Sequence, residues 1–179
     1  MTLDTRWEDV DKLLQTTART KDEKQAKAVH EIAEQRFKFP TQEHASYRTY
    51  VNAPNVTMAV QVGDEEVAPD IVVVERLNTG DTRLVMSAEV AGLPEHVNEA
   101  EARRWARIAG IADQAFYLYV PVGYGAAAKK LCRKLGIRVE GFRTWRWTPR
   151  GFEINDISEP ESPLARFMPP VVRKLLATP

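Results

Sequence analysis

Pro69-Asp70-Ile71-Val72-Val73-Val74-Glu75 is a short apolar run with a carboxylate at its start. Ser87-Ala88-Glu89-Val90-Ala91 is a second such run, and its Glu89 lies nineteen residues after Asp70. β-Branched residues dominate the first run, and Asn78-Thr79-Gly80-Asp81 between the two is a turn signal, so the stretch predicts a β-hairpin. An acid at the edge of a buried strand is costly unless it is paired, hydrogen-bonded or bound to a metal. Two such acids on adjacent strands suit a hard cation. If Thr79-Gly80 form a two-residue turn, paired positions sum to 159 and Asp70 stands opposite Glu89 on one face. A three-residue turn with Gly80 as a bulge makes the sum 158 and sets Asp70 against Ala88. That register separates the acids unless a second bulge restores them. Thr-Gly does not choose between the two turns.

Outward from the hairpin, residues 5–18 are predicted helical from Trp7, Val10, Leu13 and Leu14. Thr20 and Glu23 have capping-box spacing and open a second helix, with Ala26, Val29, Ile32, Ala33 and Phe37 as its apolar stripe and Pro40 as its stop. Residues 41–55 read as irregular, Val56 to Val62 as a strand, and Gly63-Asp64-Glu65-Glu66 as a turn. After the hairpin, Asn98 and Glu101 form another capping box. The helix they open runs to Gly110, with Ala102, Trp105, Ile108 and Ala109 inward and Arg103, Arg104 and Arg107 on or near the polar side. Phe116 to Val120 reads as a buried strand, and 124–135 as a helix stopped by Gly136. Val139 to Trp147 and Phe152 to Ile157 read as a last hairpin. The expected organisation is an N-terminal helix over 1–19, a core over 20–157, and a Pro-rich linker with a C-terminal helix over 158–179. The fold class is a mixed α/β sandwich with an antiparallel hairpin at its heart and a parallel crossover into Phe116–Val120.

The 179 residues suffice for one domain with a real core, and 44% hydrophobic with 28% charged residues is a soluble, globular composition. No apolar run is long enough for a bilayer, and Met1 to Trp7 lacks the apolar stretch of a signal peptide, so a cytoplasmic location is expected. A single cysteine, Cys132, excludes an internal disulfide and a thiolate cluster; between Leu131 and Leu135 it reads as a buried small hydrophobe. The net charge is zero but uneven: residues 101–150 hold eleven Lys/Arg against three Asp/Glu. A basic half beside an acidic strand pair suits a site that holds a cation and a polyanion together, or else is a solvated surface with local clustering.

The Pro69-Asp70 and Glu89-Val90-Ala91 elements, with the order of elements across about residues 20–147, resemble the PD-(D/E)XK nuclease superfamily, also called restriction-endonuclease-like. The resemblance implies a restriction-endonuclease-like mixed sheet, metal-dependent phosphodiester hydrolysis of DNA, and Asp70 and Glu89 as ligands of magnesium or manganese. It further implies an acid from the first core helix, Glu34 or else Glu31, as a third member of the catalytic set. In that family a lysine two residues after the Glu positions or polarises the attacking water. Here that position is Ala91, with neither charge nor donor. Arg103, Arg104, Arg107, Lys129 and Lys130 are candidate substitutes, although arginine is a poor proton acceptor. The same cations, with Arg143 and Arg146, are candidate phosphate contacts. The alternative is a catalytically degenerate nucleic-acid-binding or assembly module of the same fold. Without the family, Asp70 reads as a strand-edge acid accepting main-chain hydrogen bonds and Glu89 as the partner of a nearby arginine.

Other constellations carry less. His30, His44 and His96 lack ligand spacing; Ser87 lacks a nucleophile elbow; Gly123-Tyr124-Gly125 lacks the spacing of a phosphate loop. Arg143-Thr144-Trp145-Arg146-Trp147 alternates basic and aromatic residues, which suits either base stacking or a core Trp beside a solvent-facing Arg. The apolar tail, with Leu164, Phe167, Met168, Val171, Val172, Leu175 and Leu176, is expected to pack on the domain or to dock on a second copy or another protein.

Overall fold

The computed structural model describes residues 23–157. The helix expected over 5–18, the capping position Thr20, the linker 158–163 and the terminal helix lie outside the described residues. Helix α1 (Glu23–Arg36) is followed by strand β1 (Tyr47–Val51) and by a two-stranded ribbon, β2 (Val60–Val62) with β3 (Glu65–Val67). The hairpin β4 (Ile71–Arg76) and β5 (Thr82–Val90) comes next, then helix α2 (Glu99–Ala109), strand β6 (Ala115–Pro121), helix α3 (Gly125–Lys134), and the closing hairpin β7 (Gly141–Thr148) and β8 (Gly151–Asp156).

Six strands form one sheet in the order β1-β4-β5-β6-β7-β8. The β5–β6 and β6–β7 pairs are parallel and the others antiparallel. This is the mixed α/β architecture expected, with the hairpin in the middle and parallel crossovers through α2 and α3. Each face of the sheet buries its own apolar cluster. Ala28, Val29 and Ile32 of α1 pack on Ile71, Val73, Ala88, Val90, Tyr119 and Trp145. Ala102, Trp105 and Ile108 of α2 and Ala128 and Cys132 of α3 pack on Ala91, Phe116, Leu118 and Val120. Alternate residues of one strand therefore serve opposite layers: Ala88 and Val90 face α1, while Glu89 and Ala91 face α2.

The order of elements differs from expectation at two places. Residues 47–51, read as irregular, form edge strand β1, which pairs with β4 from Tyr47↔Glu75 to Val51↔Ile71. All five of its residues are half-buried, so there was no in–out alternation to read. The strand expected over 56–62 is ordered as a strand only at Val60–Val62, and Glu65-Glu66, read as turn, already pair back in β3.

Candidate functional site

The hairpin uses both registers that the sequence left open. Gly80 has φ +92 and donates its N–H to Leu77 O at 3.0 Å, while Leu77 N donates to Asp81 O at 2.9 Å. A three-residue loop with glycine in the left-handed region results. Beside it Arg76 faces Thr82 and Val74 faces Leu84, the register that sets Asp70 against Ala88. The pairing then slips between Val73 and Val74, leaving Val85 as the extra residue of a bulge, and Ile71 comes to face Ala88. One step further, Asp70 stands beside Glu89. The bulge joins the acids.

Each carboxyl group accepts a main-chain hydrogen bond from across the strand pair. Asp70 Oδ2 accepts from Val90 N at 2.8 Å, and Glu89 Oε1 accepts from Asp70 N at 3.3 Å. Asp70 is 1% exposed and Glu89 2%. Arg104 of α2 closes the site: Nη1 makes a short ion pair with Glu89 Oε2, and Nη2 donates to Ala68 O at 2.7 Å. Asn98 caps α2, its side chain accepting from Glu101 N at 3.0 Å, which fixes the start of the helix. With Trp105 and Ile108 turned into the core, neighbouring Arg104 is carried down onto the sheet rather than out to solvent.

Two residues that the sequence reading did not single out support this corner. Asn52, 2% exposed, donates through Nδ2 to Pro69 O at 2.7 Å and to Met58 O at 2.6 Å. Its Oδ1 accepts from Thr57 N and Met58 N, and its main-chain N donates to Asp70 O at 2.9 Å. Asn52 thus ties the loop after β1 to the Pro69-Asp70 turn. Gln25 of α1, also buried, donates to Val90 O at 2.9 Å. A Cβ on Gly92 would lie 2.6 Å from the Gln25 side chain. Gly92→Ala is therefore expected to cost about 1–3 kcal/mol by overpacking, measured by urea denaturation. The signal for both residues was a polar side chain set in or beside an apolar stretch, a pattern equally common in turns.

The remaining expected site residues are dispersed. Glu31 and Glu34 ride on α1, which covers the opposite face of the sheet. Glu34 points to solvent and pairs with Lys38 at 3.2 Å. It lies nine residues, about 13 Å of helix, beyond Gln25, which hydrogen-bonds to Val90 of β5. The structure thus gives Glu34 no place beside Asp70 and Glu89. Arg103 pairs with Glu99 at 3.0 Å and Arg107 with Glu65 at 3.0 Å. Arg143 lies on the α1 side, bonded to Tyr119 Oη at 3.0 Å and paired with Asp156, with its guanidinium 5.5 Å from the Tyr117 ring. Burial pushes the Tyr119 phenol above its ordinary pKa. Arg146 pairs with Glu153 across the last hairpin at 2.7 Å. Trp145 is core, its indole N–H donating to Ala91 O at 3.1 Å. Trp147 is half-exposed beneath the Lys27 ammonium. Lys129 and Lys130 lie on α3, and Lys129 Nζ sits 3.4 Å from Ile157 O.

Arg104 holds one Glu89 oxygen and the Ala68 carbonyl, and among the described residues no three His, Cys, Asp or Glu side chains converge. In comparisons with known proteins, no family model, no curated protein and no solved structure matches the chain. No helix among the described residues is long and apolar enough to cross a membrane.

Proposed function

We propose that this chain is a restriction-endonuclease-like domain that binds nucleic acid without cutting it, its cation supplied from within by Arg104. The observation that carries this reading is the Arg104 guanidinium bridging Glu89 and Ala68 O beside Asp70. A planar guanidinium supplies fixed positive charge and hydrogen bonds, and it cannot activate a water as a metal or a neutral base can. The partner is argued from charge. Between Asp113 and Glu140 the chain has no acid and five Lys/Arg. Lys130 and Arg138 are exposed and make no ion pair among the described residues, whereas Arg103, Arg107, Arg143 and Arg146 are each matched by a carboxylate. The α3 face is therefore where unneutralised charge meets phosphates, rather than the arginines of α2 and β7.

The test is fluorescence anisotropy with labelled duplex and single-stranded DNA and with RNA, in EDTA, magnesium or manganese, with a gel read in parallel for cleavage. Binding should survive EDTA, weaken steeply with salt, and fall about tenfold or more in Lys130→Glu/Arg138→Glu at low salt. Cleavage that needs magnesium or manganese and disappears in Asp70→Asn would instead establish the nuclease with Asp70 and Glu89 as its ligands. Absence of binding to every nucleic acid would leave a protein-assembly module.

A further inference from the structure

A cavity of about 490 Å³ opens between α3 and the last hairpin, on the same sheet face as Arg104. Its walls include Cys132, Phe142 and Ile157, and its charged members are Lys129, Arg133 and Glu140. The volume lies in the range that holds a ligand of roughly ten to twenty non-hydrogen atoms. Lys129 is held at the wall: its ammonium sits 5.8 Å from the Phe142 ring centroid and 3.4 Å from Ile157 O. Neither Lys129 nor Arg133 meets a carboxylate among the described residues, so two cations against one acid leave the cavity net positive. An open groove with apolar side chains on one part of its wall and more cations than acids on the other fits a molecule with an apolar body and a single negative head.

We infer that this cavity is a binding site for a small organic monoanion, with its apolar body against Phe142 and Ile157 and its head between Lys129 and Arg133. The site is separate from the Asp70–Glu89 pair, and Lys130 and Arg138 adjoin its wall without lining it. Cys132 supplies a reporter within the wall. It is the only cysteine of the chain, and burial pushes its thiol up to about 11. The thiolate fraction, and with it alkylation, therefore rises about tenfold per pH unit below that value.

The experiment follows Cys132 alkylation in the full-length protein at about pH 9, where enough thiolate exists for a measurable rate. Octanoate is the probe and octan-1-ol the uncharged control. Octanoate should slow labelling saturably. The alcohol, lacking the charge-assisted contacts, should need about tenfold more for the same protection. In Lys129→Gln/Arg133→Gln, confirmed folded by circular dichroism, octanoate should fall to the alcohol's potency. Equal protection by acid and alcohol in the unmodified protein would overturn the inference in favour of a merely apolar groove. No protection by octanoate at any concentration would also overturn it, as for a cavity covered by other parts of the chain.

Discussion

Arg104→Ala is expected to lower folding stability by about 3–5 kcal/mol, the range for removing one partner of a buried ion pair. Buried Glu89, beside buried Asp70, would lose the guanidinium that reaches it from α2, and Ala68 O would lose its donor. The loss should be largely specific to the charge arrangement. Arg104→Ala/Glu89→Gln removes both sides of the ion pair and should be more stable than Arg104→Ala alone. Arg104→Lys keeps the charge but cannot span Glu89 and Ala68 O with a planar fork, and should fall between. Millimolar manganese should raise the denaturation midpoint of Arg104→Ala and leave that of the unmodified protein unchanged, because only in the variant is Glu89 released from its guanidinium and open to an oxygen-seeking cation. Urea denaturation of the four proteins decides the matter. An Arg104→Ala protein as stable as the parent would show that the guanidinium is not what holds the acids in place.

Ala91→Lys should be the second most damaging change, at about 3 kcal/mol or more, the cost of placing an unmatched charge in an apolar cluster. From the sequence alone, a lysine two residues after Glu89 looks like the restoration of a lost catalytic group. The structure adds that Ala91 is 4% exposed and packed with Ala102 and Trp105 under α2. Its carbonyl also takes the Trp145 indole. Four methylenes and an ammonium would have to displace that packing, so the single variant should be destabilised and should cut neither DNA nor RNA. Arg104→Ala/Ala91→Lys is the informative companion. It returns a cation to the Glu89 face of the strand, so it should be more stable than the sum of the two single losses. A folded Ala91→Lys protein that cleaves DNA with magnesium would return the chain to the nucleases.

The parts of the fold that were legible in the sequence are those in which local chemistry and tertiary packing agree. Asn98 with Glu101 marks the start of α2, and Ala102, Trp105 and Ile108 give its inner face. The valines of β4 and the buried middle of β6 are likewise where the sequence pattern places them. Edge strand β1 was illegible because its side chains are all half-buried and Pro54-Asn55 nearby dominates the reading. At the site, the pairing of Asp70 with Glu89 could be posed but not decided, since turn length and bulge are separate degrees of freedom and Thr79-Gly80 constrains only the first. Arg104 was one of several exchangeable arginines on paper. Only the rotation of α2 on the sheet distinguishes it from Arg103 and Arg107, which end in surface ion pairs. Glu34 came from the resemblance alone; its helix is present, on the other layer, and its side chain pairs with Lys38 at the surface.

The extra residue at Val85 sets which changes this hairpin can absorb. It works as a phase shifter: on the loop side of the bulge the two strands count in one step, on the site side in the other. A substitution keeps the count of residues on each side of that offset, whereas gain or loss of a single residue between Val85 and Glu89 exchanges the inside and outside of the strand end. Glu89 would then turn toward α1, away from Arg104, and Ala88 or Val90 would take its place beside Asp70. Length is thus a stricter inheritance than composition in this short segment. The loop at 78–80, beyond the shifter, is where lineages of this domain can vary in size without moving the acids.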